Sequence, residues 1–477
     1  MKNIAPCVLI GNALSSMVAA TELAKAGHQV ILVNGTNNWG GHFTTLNFDG
    51  VAYDGGMVLH EFTSYGAQSE VEDIATYNAA IRNDTGRFCK TIANYVDHFQ
   101  KTHEVSGIKT YVDGQYYDDL LIANALTTLA KLPFAAQVRT ELSALVADTQ
   151  NADLHASKKH TSANFNRLPF EFVSLANHGA TLHAKLFEPY CKKLLNIGTA
   201  DVVALYHRVP WLPLFYPETL LSYLQGSPQA LPPTIFNYPD RGCVGDLASQ
   251  LKTEILQSAN IQVINKFPTQ LKRTDEGKYA ISFEDMPTIN TEKLAWSGGL
   301  SELLKAAGAT DKVHAYDKAS FTLVFAKVLA SQLKSDFSVL SIADPASVLY
   351  RVTDQTRCNN DQHAEYHRLV IEINYDYLMQ QRNIANPQDL QALVAKELVA
   401  IGVISDEASL NIVKAVDLKN ALPLPNTNNI QAFEEELAAV KAMVPEIILL
   451  AGSSGFSSSS FNHQILQGLK LAQTWSV

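Results

Sequence analysis

"VLIGNALSSMVAATELAKAGHQVILVNG", residues 8–35, decides the fold. The apolar run from Cys7 to Ile10 suits a short buried strand, Leu14 to Ala26 repeats small and apolar residues at helical spacing, and Gly27 stands where a helix wants its C′ residue. "QVILV" at 29–33 follows as a second buried strand. Together they form a βαβ unit of the dinucleotide-binding type. Its turn uses glycines for a tight bend, for close approach of backbone to a pyrophosphate, and for close packing of helix on strand. Gly11 keeps the first role, whereas Ala13 and Ser16 stand at the second and third positions and crowd the turn without closing it. The helix N-terminus still offers free N–H groups and partial positive charge to an anion. Asn34 lies 23 residues after Gly11, where a carboxylate normally meets the ribose hydroxyls. An amide accepts one hydrogen bond and donates another, but lacks charge-assisted strength. On this motif alone, a weakly binding unit and one that merely packs stand level.

The 477 residues, 47% of them hydrophobic, supply a large core and predict two or three domains. With 47 acidic against 37 basic residues, the chain has no basic field for a polyanion, and nucleic acid is not an expected partner. Five cysteines, at 7, 89, 191, 243 and 358, are odd in number and never spaced as CxxC, so neither a disulfide framework nor a zinc site is expected. A reducing, cytoplasmic setting fits them. Lys2 and the apolar residues after it resemble a short secretion signal, yet the segment runs without a break into "GHQVILV", so cleavage would destroy the βαβ unit. No apolar run approaches the roughly 20 residues that span a bilayer. No membrane span is expected, and the oligomeric state is open.

Working outward, "TTLNFDG" and "VAYDGG" read as a hairpin turning at Asp49-Gly50. Residues 66–225 read as a mostly helical insertion, with "YDDLLIANALTTLAKL" and "HAKLFEPYCKKLL" among its helices. "NIQVINKF" (260–267) and "KYAISF" (278–283) read as a strand pair, and further strands are expected at 320–329, 346–353 and 367–375. Helical text returns between "DLQALVAKELVAIG" and "FEEELAAVKAMV", and the chain ends as a strand, a Gly/Ser loop and a helix.

"GNALSSMVAATELAKAGHQVILVNGTNNWGGHF" resembles the N-terminus of the flavin-containing amine oxidase and protoporphyrinogen oxidase superfamily, to which UDP-galactopyranose mutase is distantly similar. "YDGG" at 53–56, "LFEPYCKKLLNI", "FNYPDRGCVGDLASQL" (236–251), "NIQVINKF" and the terminal "LLAGSSGFSSSSFNHQILQGLKLA" resemble later elements of that superfamily in the same order. The resemblance implies a mixed α/β (α+β) chain with a Rossmann-like FAD/NAD(P)-binding domain, discontinuous over 1–65, 226–300 and 431–477. The helical insertion at 66–225 and a sheet-and-helix region at 301–430 would build the substrate side. It implies FAD as cofactor, held by Gly11, Ala13, Ser15, Ser16, Asn34, Gly40, Gly41, His42, Gly55, Gly56, Phe267, Gly452, Ser453, Ser460 and Asn462. Departures from the pattern fall at Ala13, Asn34, His42, Val58 and Ser453, so the cofactor site has drifted.

Flavin chemistry asks little acid or base of the protein, because hydride passes directly from substrate carbon to cofactor. His42 and His60 are the titratable candidates, although a histidine in either position is more often a hydrogen-bonded structural one. Arg351, in "VLYRVTD", falls where mutase-like relatives present an arginine to an anionic substrate, and its fork of donors suits carboxylate or phosphate. "HRVPWLPLFYPETL" (207–220) either lines the substrate cavity or caps the helical region. Ser460 and Asn462 read as caps of the last helix, whose N-terminus would face a reduced flavin. His363 and His367 lack an HExxH pattern, and Ser457–Ser460 lack the G-x-S-x-G elbow, so no metal or serine nucleophile is expected. The expected activity is FAD-dependent hydride removal from a C–N or C–C bond of a small molecule. The alternatives are a mutase-like use of flavin without net redox, although "ALPLPN" (421–426) lacks the tyrosine such mutases carry, and a non-catalytic relative that has lost FAD.

Overall fold

A computed structural model describes residues 6–36, 38–62, 73–79, 84–148, 152–160, 162–227, 234–384, 386–456 and 458–477. Lys2, Ser457 and parts of the expected helical insertion lie outside the described residues. Strands Cys7–Ile10 and Val30–Val33 are buried at every residue, as two-sided parallel strands are. Between them runs helix Leu14–Lys25, ended by Gly27 at φ 88°. The sheet is wholly parallel, in the order Ile261–Ile264, Val30–Val33, Cys7–Ile10, Lys293–Trp296, Ile448–Leu449. The chain therefore leaves its first strand toward one edge and returns on the other side. Such a reversal opens a crevice at the strands' carboxyl ends. Gly11 has φ 118°, and a Cβ there would stand 2.3 Å from the Ser297 hydroxyl, so glycine is required at the turn.

A second, seven-stranded sheet runs in the order Asn411–Pro423, Lys318–Leu329, Tyr366–Asn374, Leu349–Asp354, Val339–Ile342, Ile108–Val112, Gln115–Asp118. Its pairings are antiparallel except that between Val339–Ile342 and Ile108–Val112. The expected hairpin forms between Leu46–Phe48 and Val51–Tyr53, with Asp49 (φ 49°) and Gly50 (φ 76°) both left-handed.

Three readings need correction. Ile261–Ile264 does not pair with Tyr279–Phe283; it joins the parallel sheet, while Tyr279–Phe283 is the middle strand of a separate three-stranded antiparallel sheet. "YDDLLIANALTTLAKL" is not an α-helix. Asp119, fully buried, accepts from Thr110 Oγ1 (2.6 Å) and from the N–H groups of Ile122 and Ala123, bending the backbone where helical spacing predicted continuation. Residues 66–225 therefore hold helices such as Cys89–Asp97, Ala135–Ala147 and Phe170–His178, but also two strands that extend the large sheet.

No helix among the described residues is long and apolar enough to cross a membrane. All five cysteines are free and buried.

Candidate functional site

A cleft of about 1230 Å³ opens between the carboxyl ends of the parallel strands and one face of the large sheet. Its floor includes Gly299–Ser301, just past strand Lys293–Trp296, and Gly452, just past Ile448–Leu449. Ser460, Asn462 and His463, at the start of helix Phe461–Ser476, close one end. Phe321, Leu323, Tyr350, Arg351 and Glu372 face it from the sheet. His207, Arg208, Trp211 and Phe215 form much of the opposite wall, so the "HRVPWLPLFYPETL" loop lines the cavity.

The structure brings together six of the residues read from sequence: His42, Gly55, Arg351, Gly452, Ser460 and Asn462 all line this cleft. The remainder do not line it. His60 is fully buried among aromatic rings, stacked on Phe62 (centroids 5.1 Å) and tilted against Phe461 (4.5 Å). Its Nε2 approaches Gln100 at 3.3 Å and its Nδ1 has no partner. Burial pushes its imidazole down to about 3, so it stays neutral. Ser453 turns its hydroxyl inward to the Trp296 and Leu450 carbonyls, at 3.1 and 2.6 Å. Its side chain locks the last strand instead of facing a ligand. His42 is exposed and lines the cleft, and desolvation by the surrounding protein pushes its imidazole down to about 4.

Asn34, 1% exposed, spends its side chain on its own loop. Its Oδ1 accepts from Thr36 N and Oγ1, while its Nδ2 donates to Asn38 O at 3.1 Å. Phe267 lies so close over Gly35 that a Cβ there would fall 2.6 Å from the ring. At the turn, Ala13 bridges Gly40 in parallel fashion, and Ser16 Oγ donates to Ser297 Oγ at 2.8 Å.

Arg351 is not a bare cation. Nε donates to Glu372 Oε1 at 2.7 Å and Nη2 to Oε2 at 2.5 Å, both side chains being almost wholly buried. Tyr350 OH and Met57 N donate to the same carboxylate at 2.8 Å each. Only Nη1 of the guanidinium lacks a partner. Gly56, at φ 109°, lets the hairpin approach; a Cβ there would meet the Glu372 carboxylate at 3.3 Å.

Sequence reasoning missed Glu61, Tyr350 as a ring facing the cavity, and Glu372, while Arg208 was read only as part of the 207–220 stretch. Glu61 lines the cleft, and burial raises its carboxyl above the ordinary range although Arg208 pulls the other way. Its neighbour His60 carried the only signal, being the residue two places past the expected histidine position. Asp54 of "YDGG" is structural: it accepts from Tyr238 OH (2.6 Å) and from Val244 and Gly245 N–H (3.0 Å each). That pins the hairpin to the start of helix Asp246–Gln257.

FAD fits the cleft at its flavin end, where Gly299 and Gly452 have nothing within 4 Å of a built Cβ and a Ser460-capped helix points its N-terminus inward. At the phosphate end, Ser15 is fully buried with an unpartnered hydroxyl beside the N-terminus of helix Leu14–Lys25. An orphaned donor there suits an absent acceptor.

No protein-family model matches the chain, and no curated protein matches it by sequence. Solved structures do match its fold. Reduced UDP-galactopyranose mutase superposes with a TM-score of 0.72 at 15% identity, covering 99% of this chain and 95% of that one. Cyclohexylamine oxidase from Brevibacterium oxydans gives 0.62 at 12% identity, with 99% of each chain covered. A fatty acid isomerase from P. acnes gives 0.57 at 14%, covering 100% and 99%. The chain thus has the fold of the amine oxidase and mutase structures over its whole length.

Proposed function

We propose that the chain is an FAD-dependent oxidoreductase that removes a hydride from a C–N or C–C bond of a small, mainly apolar molecule. The observation that carries this reading is the placement of the cleft: it lies at the carboxyl ends of the parallel strands, under a capped helix N-terminus and against an aromatic sheet face. An amine oxidase is among the solved structures that share this fold. Bound there, FAD would supply the hydride acceptor.

The chain's own residues do the rest. Gly452, Ser460 and Asn462 would hold the flavin, with the helix N-terminus stabilising negative charge on its pyrimidine edge. Asn462 is oriented for this by donating from Nδ2 to Glu61 O at 2.6 Å. Trp211, Phe215, Phe321 and Tyr350 give the substrate an aromatic enclosure that excludes water. Glu61, its carboxyl raised by burial, is placed to take a proton from an amine or hydroxyl substrate as the hydride leaves. His42, held neutral, can accept or donate a hydrogen bond at the flavin side without adding charge.

A second reading, a flavin-dependent rearrangement without net redox, draws on Arg351 in the cleft lining, whose buried Nη1 has no partner, and on the likeness to the mutase. Activity only after prior reduction would favour it. The primary test is the visible spectrum of purified protein before and after incubation with FAD and gel filtration. Retained bands near ~450 nm, expected of any bound flavin, support the reading. A colourless protein that also fails to retain added FAD overturns it.

A further inference from the structure

Gln464 sits where the dinucleotide fold places a pyrophosphate. The first-turn N–H groups of helix Leu14–Lys25 should face that anion, yet Ser16 and Met17 already donate to Ala13 O, at 3.0 and 3.2 Å. Ser15 N–H, the one turned toward the last helix, donates to Gln464 Oε1 at 3.4 Å. Gln464 is 2% exposed, and its Nε2 donates to Ser459 O at 2.9 Å. The Ser15 hydroxyl beside it is wholly buried and finds no partner.

The cause is visible one helical turn further on. Gly468 is so close to helix Leu14–Lys25 that a Cβ would fall 2.7 Å from Ser15 O and 2.6 Å from Val18 Cβ. Residues four apart share a helix face. Backbone contact at Gly468 therefore aims the side chain at 464 into the turn.

We infer that the Gln464 carboxamide is an internal stand-in for the cofactor's pyrophosphate. The chain accordingly takes up its dinucleotide reversibly, with Gln464 setting the affinity. This rests on the FAD reading above. The replacement is poor in two respects: a neutral amide does not answer the helix's positive end as an anion does, and it leaves the Ser15 hydroxyl empty. A diphosphate would take both Ser15 donors once the carboxamide rotates out. Competition by Gln464 weakens cofactor binding, and a loose cofactor is consistent with the altered residues at Ala13 and Asn34.

The test is titration of the full chain with FAD, followed by quenching of flavin fluorescence, for wild type, Q464A and Q464E, with ADP in parallel by calorimetry as a probe lacking the flavin. Removing one competing hydrogen bond should tighten FAD and ADP by about tenfold in Q464A, and a like charge should weaken both at least as much in Q464E. Equal affinities in all three folded proteins overturn the role of Gln464 and leave the FAD reading intact. Binding of FAD by none of them overturns both. Should Q464A fail to fold, unaltered affinity in Q464E alone defeats the inference.

Discussion

The Arg351 guanidinium meets the Glu372 carboxylate through two nitrogens, Nε at 2.7 Å and Nη2 at 2.5 Å, at the wall of the cleft with almost no solvent on either side chain. A pair so enclosed contributes little net stability while intact, because both ions have been dehydrated. Breaking it from one side is another matter. R351M leaves Glu372 with Tyr350 OH and Met57 N as donors but no counter-charge. We expect a loss of about 3–5 kcal/mol in urea unfolding for R351M, and a clearly smaller loss for the double variant R351M/E372M. Equal losses in the two would mean that the pair is not coupled.

The contact of Gly468 with Ser15 yields a second expectation. With Val18 Cβ and a backbone carbonyl both inside 3 Å of a new methyl group, neither helix can yield without sliding. G468A should cost about 1–3 kcal/mol despite the higher helix propensity of alanine. Chemical denaturation of the variant measures this, and a stabilised G468A would show that the helices stand further apart.

How much of this was legible beforehand follows from where the chain's information is local. The βαβ unit was readable because Cys7–Ile10, Leu14–Lys25 and Val30–Val33 each carry their own period, and Gly27 and Gly11 mark the turns. Strand Asn411–Pro423 was not read: most of its residues are exposed, so it lacks the alternation that a half-buried strand shows. Asp119 defeated the helical spacing around it through hydrogen bonds that sequence order does not reveal. At the site, glycines and caps could be placed by motif, but Glu372 lies 21 residues from Arg351 on a neighbouring strand, and Gln464 meets Ser15 across 449 residues. Such pairings are set by sheet register and helix crossing, which no local pattern records.

Thiol chemistry offers an inexpensive check on the core. All five cysteines are buried, and burial raises the thiols of Cys7, Cys191, Cys243 and Cys358, Cys243 to about 12. Thiolate is the reactive species. Native protein should therefore release almost no chromophore from a disulfide reagent at neutral pH, and five equivalents once unfolded in urea. Rapid titration of two or more thiols in the native state would contradict the packing described.

Acid sensitivity follows from the histidines. His60 and His178 are wholly buried, and desolvation pushes each down to about 3. In the unfolded chain both titrate near the ordinary ~6.5. Above that pH neither state binds the proton, and the stability of the neutral, buried rings is fully present. As pH falls below it, only the unfolded chain gains protons, so stability declines by about 1.4 kcal/mol per pH unit for each histidine, until the folded pKa is reached. Between pH 6.5 and 5 the two together should remove about 3 kcal/mol. The buried carboxyls of Asp54 and Asp119, raised by burial, act in the opposite direction, so the difference between proteins is the cleaner measure. H60F keeps an aromatic ring between Phe62 and Phe461 and deletes one titrating group. Urea midpoints at pH 7.0 and 5.0 should fall less in H60F than in wild type, by the free energy of one proton over that interval, about 2 kcal/mol. Parallel pH dependence in the two proteins would mean that His60 is solvated, and that the aromatic cage between the hairpin and the last helix is open.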